Sequence, residues 1–213
     1  MINFLLVIFV ISMLYAATTS RMEANVKVLS IQGVLFFLMV LPNFSHIPFS
    51  DFLFLCTETL VVKTILIPLI LMYIIRKNKA YREVEPYIPG FYSMVITAVL
   101  FVFGFIMAYY AGRVSHDVKP LYFGISMSVI MTGLFIIMSR KKIITHIMGY
   151  MFMENGIFLL SLSVAREMPL IVNLGILLDI FVGVFILVVF YNKLRSAFES
   201  EKMNIDKLDY LKD

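Results

Sequence analysis

Seven apolar stretches run through the chain, at about 2–19, 26–40, 51–75, 91–110, 121–138, 143–164 and 169–191, each set apart from the next by charged or turn-forming residues. A hydrocarbon core is roughly 30 Å thick and takes about 20 apolar helical residues to cross, so each stretch reads as a transmembrane helix. The second is the shortest. A chain that is 61% hydrophobic and 15% charged over 213 residues lies well outside the composition of a soluble globular domain. The expected fold is therefore all-α: a polytopic membrane helix bundle of about seven transmembrane helices, forming a single membrane domain over 1–213 with the lipid bilayer as its solvent. The first stretch has Ala16 and Ala17 near its end, as a cleaved signal would, but no Lys or Arg precedes Arg21. Without a basic leading region it reads as a retained helix.

The basic residues fix an expected orientation. Of 18 Lys and Arg, most fall in the turn at Arg21 and Lys27, the linker from Arg76 to Arg82, the turn at Arg140, Lys141 and Lys142, and the tail from Lys193. The alternate loops hold Arg113, Lys119 and Arg166, and Lys63 lies inside a span. Basic loops stay in the cytoplasm, so the N-terminus is expected outside and the C-terminus in the cytoplasm. An even number of spans would scramble this asymmetry. The net charge of +4 would suggest nucleic acid in a soluble protein; here it is a topology signal, and no nucleic-acid partner is expected.

The linker 76–90 carries Pro86 and Pro89 and divides three helices (1–75) from four (91–191). The tail 196–213 mixes acids and bases around Met203, Ile205, Leu208 and Leu211, the pattern of a short strap on the membrane surface or on a partner. The one cysteine, Cys56, excludes an internal disulfide framework and any iron–sulfur or nickel–iron site built from this chain's own thiolates. It reads as a small apolar residue in a span.

Two acids sit in the middle of the last two spans. Glu154 lies ten residues before Val164 and Asp179 ten residues after Pro169, so each is roughly 15 Å from the same short loop, near the bilayer centre. A carboxylate there costs about 2.5–3.5 kcal/mol on insertion scales and usually marks an ion or proton path. Lys63 is twelve residues from Asp51, hence about 18 Å deep and close to the same level. Glu58, five residues before it, points about 140° away if the span is α-helical. His146, eight residues before Glu154, falls within about 80° of it around the helix and roughly 12 Å nearer the cytoplasm. A histidine titrates near neutral pH, so it is a candidate entry point for protons, or an interfacial residue beside Lys141 and Lys142. Gly149, Gly156, Ser161, Gly175 and Gly183 provide small positions at which helices can approach closely. Lys63 could also serve as static glue by pairing with one acid, which leaves the second unexplained.

The segment Met148-Gly149-Tyr150-Met151-Phe152-Met153-Glu154-Asn155-Gly156, with Leu174-Gly175-Ile176-Leu177-Leu178-Asp179 and Val182-Gly183-Val184, resembles the hydrogenase-4 component E family along the whole chain, with Lys63 and Pro68 at the expected places in the third span. From about Leu121 onward the chain also resembles subunit K of NADH-quinone oxidoreductase. Asp179 matches the acid of that subunit's last helix, and Asn204-Ile205-Asp206 with Leu208 resembles its tail. A more distant counterpart lies in multisubunit cation/proton antiporters. Met151 stands where subunit K has its first buried glutamate, with Glu154 one turn later.

The resemblance implies a non-catalytic membrane subunit of a complex I-like hydrogenase or related oxidoreductase in the cytoplasmic membrane of a bacterium or archaeon. It would relay protons or sodium ions through Glu154, Asp179, Lys63, His146 and Glu58. The chain would hold no cofactor, with nickel–iron and iron–sulfur centres in partner subunits. Those partners would be antiporter-like and other membrane subunits and a peripheral hydrogenase arm. The alternatives are a subunit of a multisubunit cation/proton antiporter, a small stand-alone secondary transporter, or a scaffold whose charges lock helices together.

Overall fold

A computed structural model of the chain describes residues 2–41, 56–77, 81, 86–114, 118–164 and 183. Among them the secondary structure is helical, without β-strands. α1 is Ile2–Thr18, α2 Met22–Val40, α3 Ile67–Lys77, α4 Gly90–Val114, α5 Pro120–Ser139 and α6 Ile143–Val164. A π-helical segment, Glu58–Leu66, runs directly into α3. Among the described residues five helices are long and apolar enough to cross a membrane, the π segment and α3 counting as one over Thr59–Lys77, and α1 is a shorter apolar helix. The protein is a multi-pass membrane protein. The expected seventh span at 169–191 and the strap at 196–213 lie, apart from Gly183, outside the described residues.

Most boundaries follow from local chemistry. α1 ends where Thr18 turns its hydroxyl onto the carbonyls of Leu14 and Tyr15. α2 starts at Met22, earlier than the apolar run at 26–40, because its first turn carries the polar Glu23 and Asn25. Pro120 occupies the first turn of α5, where its missing N–H leaves no donor unmet, behind an extended Lys119. Arg140, again extended, ends the same helix.

The helices pack through apolar stripes and close backbone contacts. Phe9, Phe36 and Phe158 stack across α1, α2 and α6 with centroid separations of 5.1 and 4.8 Å. α5 and α6 make the most extensive pair. A Cβ added at Gly133 would lie 2.7 Å from Met153 N and 2.8 Å from Gly149 O, so the two backbones touch there with no room for a side chain. α4 is the least enclosed helix and turns Phe91, Val99 and Val102 outward, as a lipid-facing helix does.

One end of the bundle gathers the basic turns. Arg140, only 3% exposed, donates from Nη2 to Ala17 O at 2.8 Å and to Thr19 O at 3.3 Å. At the same end Met22 N donates to Tyr81 O, Tyr87 N donates to Ser139 O, and Arg76 Nε lies 3.8 Å from Glu23 Oε1. Lys119 sits at the opposite end, its N–H donating to Ser163 O near the close of α6.

Candidate functional site

The π-helical segment carries the lysine. Its i→i+5 backbone pattern is visible in Ile67 N donating to Val62 O, and the Thr64 hydroxyl also donates to Thr59 O at 2.8 Å. π geometry is rare, usually brief, and frequent at functional sites. The widened turn alters the register assumed from the sequence. Positions five apart lie nearer one face than in an α-helix, so the 140° separation expected between Glu58 and Lys63 does not hold; Glu58 opens the π segment. Gly33 of α2 is what lets this segment come close: a Cβ there would fall 2.5 Å from Thr64 Oγ1 and 3.0 Å from Thr64 N.

From that position Lys63 reaches α6. Its Nζ lies 2.7 Å from Glu154 Oε1, with the two side chains 6% and 3% exposed. The ammonium also stands over the rings of Phe158 at 4.9 Å and Phe36 at 5.8 Å, where ring quadrupoles favour a cation. At an effective dielectric near 20, opposite charges in contact attract by about 4 kcal/mol, comparable with the penalty of burying them. Removing either charge would therefore leave the other buried beside a neutral side chain.

Beside this pair runs a neutral polar rung. Asn155 Nδ2 donates to Gln32 Oε1 at 2.8 Å, Gln32 Nε2 donates to Ser12 Oγ at 3.1 Å, and the Ser12 hydroxyl donates to Phe9 O at 2.7 Å. Three helices are thus tied together at the residue next to Glu154. Gln32, fully buried, and Ser12 were not singled out in the sequence, because a search for ionisable groups passes over amides and hydroxyls. The signal was present all the same: a lone glutamine in the middle of an apolar span.

The other expected site residues fare differently. His146 is half-buried at the basic end, with Nε2 at 2.7 Å from Arg140 O. Two turns of helix, about 12 Å, separate it from Glu154, and the structure does not join them directly. Asp179 lies outside the described residues. Among the described residues, no group of three or more His, Cys, Asp or Glu side chains is placed to hold a metal ion.

A bundle of apolar helices with a buried ion pair and a polar rung at mid-helix defines a class: multi-pass membrane proteins with charge in the membrane interior. Residues 121–213 match the family model of NADH-ubiquinone/plastoquinone oxidoreductase chain 4L. The chain is 25% identical over 135 residues to hydrogenase-4 component E of Escherichia coli, covering 63% of this chain and 62% of that protein. It is 28% identical over 134 residues to an uncharacterised protein of Mycobacterium tuberculosis, covering 63% and 60%. These matches support the resemblance to component E and chain 4L read from the sequence. The chain spans about three fifths of the length of these relatives. No solved structure matches it.

Proposed function

We propose that this chain is a non-catalytic membrane subunit of a complex I-like hydrogenase or related oxidoreductase, coupling redox chemistry in partner subunits to proton or sodium translocation. The observation that carries the reading is the buried Lys63–Glu154 pair in its π-helical setting. The similarity to hydrogenase-4 component E and to chain 4L supplies the kind of complex. The basic turns face the cytoplasm, and the pair lies near the bilayer centre.

In this reading Glu154 alternates between a carboxylate paired with Lys63 and a protonated, neutral acid. A buried acid changes state when a neighbouring charge changes, because burial and the facing cation act in opposite directions on its charged form. When Glu154 takes up a proton, the Lys63 ammonium is freed to turn to another acid, and Asp179 of the last span is assigned that place. His146 admits protons from the cytoplasmic end, and Glu58, at the start of the π segment, is a further member of the relay. The nickel–iron and iron–sulfur chemistry belongs to partner subunits, with antiporter-like subunits as membrane neighbours.

The test is proton translocation by the intact complex in inverted membrane vesicles energised with its own reductant, hydrogen or formate. Glu154→Gln and Asp179→Asn are each expected to abolish translocation while the complex still assembles. Unchanged translocation in both variants would remove the relay from the account. Ion movement by the purified chain alone in liposomes would instead identify a stand-alone transporter.

A further inference from the structure

An open groove of about 690 Å³, within the usual range for small-molecule sites, runs along the α1–α2 hairpin, and the ion pair and the polar rung do not explain it. It has two chemically different ends. Ile8 of α1 and Ile31 of α2 lie ten and nine residues from the connecting turn, so they line the groove roughly 15 Å into the membrane. Ile11 and Ile31 are 59% and 49% exposed, which opens this end sideways toward lipid. At the turn end the groove is bordered by Arg21, Lys27 and Tyr81, with Glu23 among them. Glu23 faces Arg76 at 3.8 Å, so among the described residues the one acid at the mouth already has a cation of its own, and Arg21 and Lys27 remain beside it.

An occupant must therefore be anionic at the level of the lipid headgroups and apolar for about 15 Å below it. Basic pockets between helices on the cytoplasmic side select anionic headgroups. A choline headgroup would bring a further cation against Arg21 and Lys27. We propose that the α1–α2 groove is a binding site for an anionic phospholipid, its phosphate held between Arg21 and Lys27 and one acyl chain lying against Ile11 and Ile31. Ser12 also lines this groove and receives the Gln32 amide, so the lipid would rest on the helix that anchors the polar rung.

The probe is delipidated full-length chain in detergent, titrated with dioleoyl phosphatidylglycerol or dioleoyl phosphatidylcholine and read by native mass spectrometry. One phosphatidylglycerol per chain is expected to bind with roughly tenfold preference over phosphatidylcholine. R21Q/K27Q should abolish the preference, Ile31→Trp should weaken both lipids by filling the apolar arm, and R113Q/K119Q at the other end should behave as the parent. Absence of any preference in the parent chain overturns the proposal. So does a preference that survives R21Q/K27Q or disappears in R113Q/K119Q, and so does normal binding by Ile31→Trp. Because the readout is binding, it is independent of whether the chain relays protons.

Discussion

Lys63 Nζ and Glu154 Oε1 lie 2.7 Å apart across 91 positions of sequence, with 6% and 3% of their side chains exposed. Each charge has been taken out of water and set directly against its opposite.

Lys63→Met keeps the length of the side chain and removes its charge, so Glu154 loses its ammonium partner. Breaking one member of a buried pair typically costs about 3–5 kcal/mol, whereas removing both is far milder. Thermal unfolding of the purified chain in detergent should show a large loss for K63M and substantial recovery in K63M/E154Q. Strictly additive losses would mean that the two side chains do not interact.

Gly33→Ala should disturb the π segment itself, since the new Cβ would meet Thr64 Oγ1 at 2.5 Å and Thr64 N at 3.0 Å. Overpacking of this kind costs about 1–3 kcal/mol. The same unfolding measurement should show that loss, with only partial recovery in G33A/T64A because the Thr64 backbone remains in the way. Full stability of G33A would mean that α2 and the π segment are not in close contact.

Gln32→Leu removes both the acceptor for Asn155 and the donor to Ser12. An unmet buried donor costs about 1–3 kcal/mol, and removing its partner as well restores much of it. Q32L should therefore be less stable than Q32L/N155L, as measured by the detergent melting temperature. Equal melting temperatures would show that the rung carries little energy.

Arg140→Gln removes a charged donor from the carbonyls of Ala17 and Thr19. Hydrogen bonds to charged groups contribute about 1.5–3 kcal/mol. Limited proteolysis should cut R140Q faster than the parent chain at the turn after α1. An unchanged cleavage rate there would mean that the Arg140 bonds to Ala17 and Thr19 do not hold that turn.

Depth along the helices was legible in the sequence, and the partner was not. Counting residues inward set Lys63 and Glu154 at nearly the same level, but two acids competed for one lysine; packing brings Lys63 against Glu154, while Asp179 lies outside the described residues. That packing depends on Gly33, whose missing side chain leaves no mark in a reading by hydropathy. The π segment escaped for a related reason: angles around a span were drawn at 3.6 residues per turn. Glu58–Leu66 holds Thr59, Val61, Val62, Thr64 and Ile65, β-branched residues that lower α-helix propensity slightly without naming an alternative. Span boundaries were close where charge or proline ends a helix, as at Pro120 and Arg140. The reading was short at α2, where a polar first turn hid four helical residues before Val26.

The central claim is that the Lys63–Glu154 pair works by changing its charge rather than by holding helices together. The charge-swapped variant K63E/E154K preserves an ion pair at the same place while exchanging which helix carries the acid. Proton translocation by the intact complex in energised vesicles, measured alongside its rate of reductant oxidation, separates the two roles. The account predicts that K63E/E154K assembles and loses translocation, because the protonatable acid now sits on the wrong helix. Translocation at the parent level would contradict it and leave the pair a static lock.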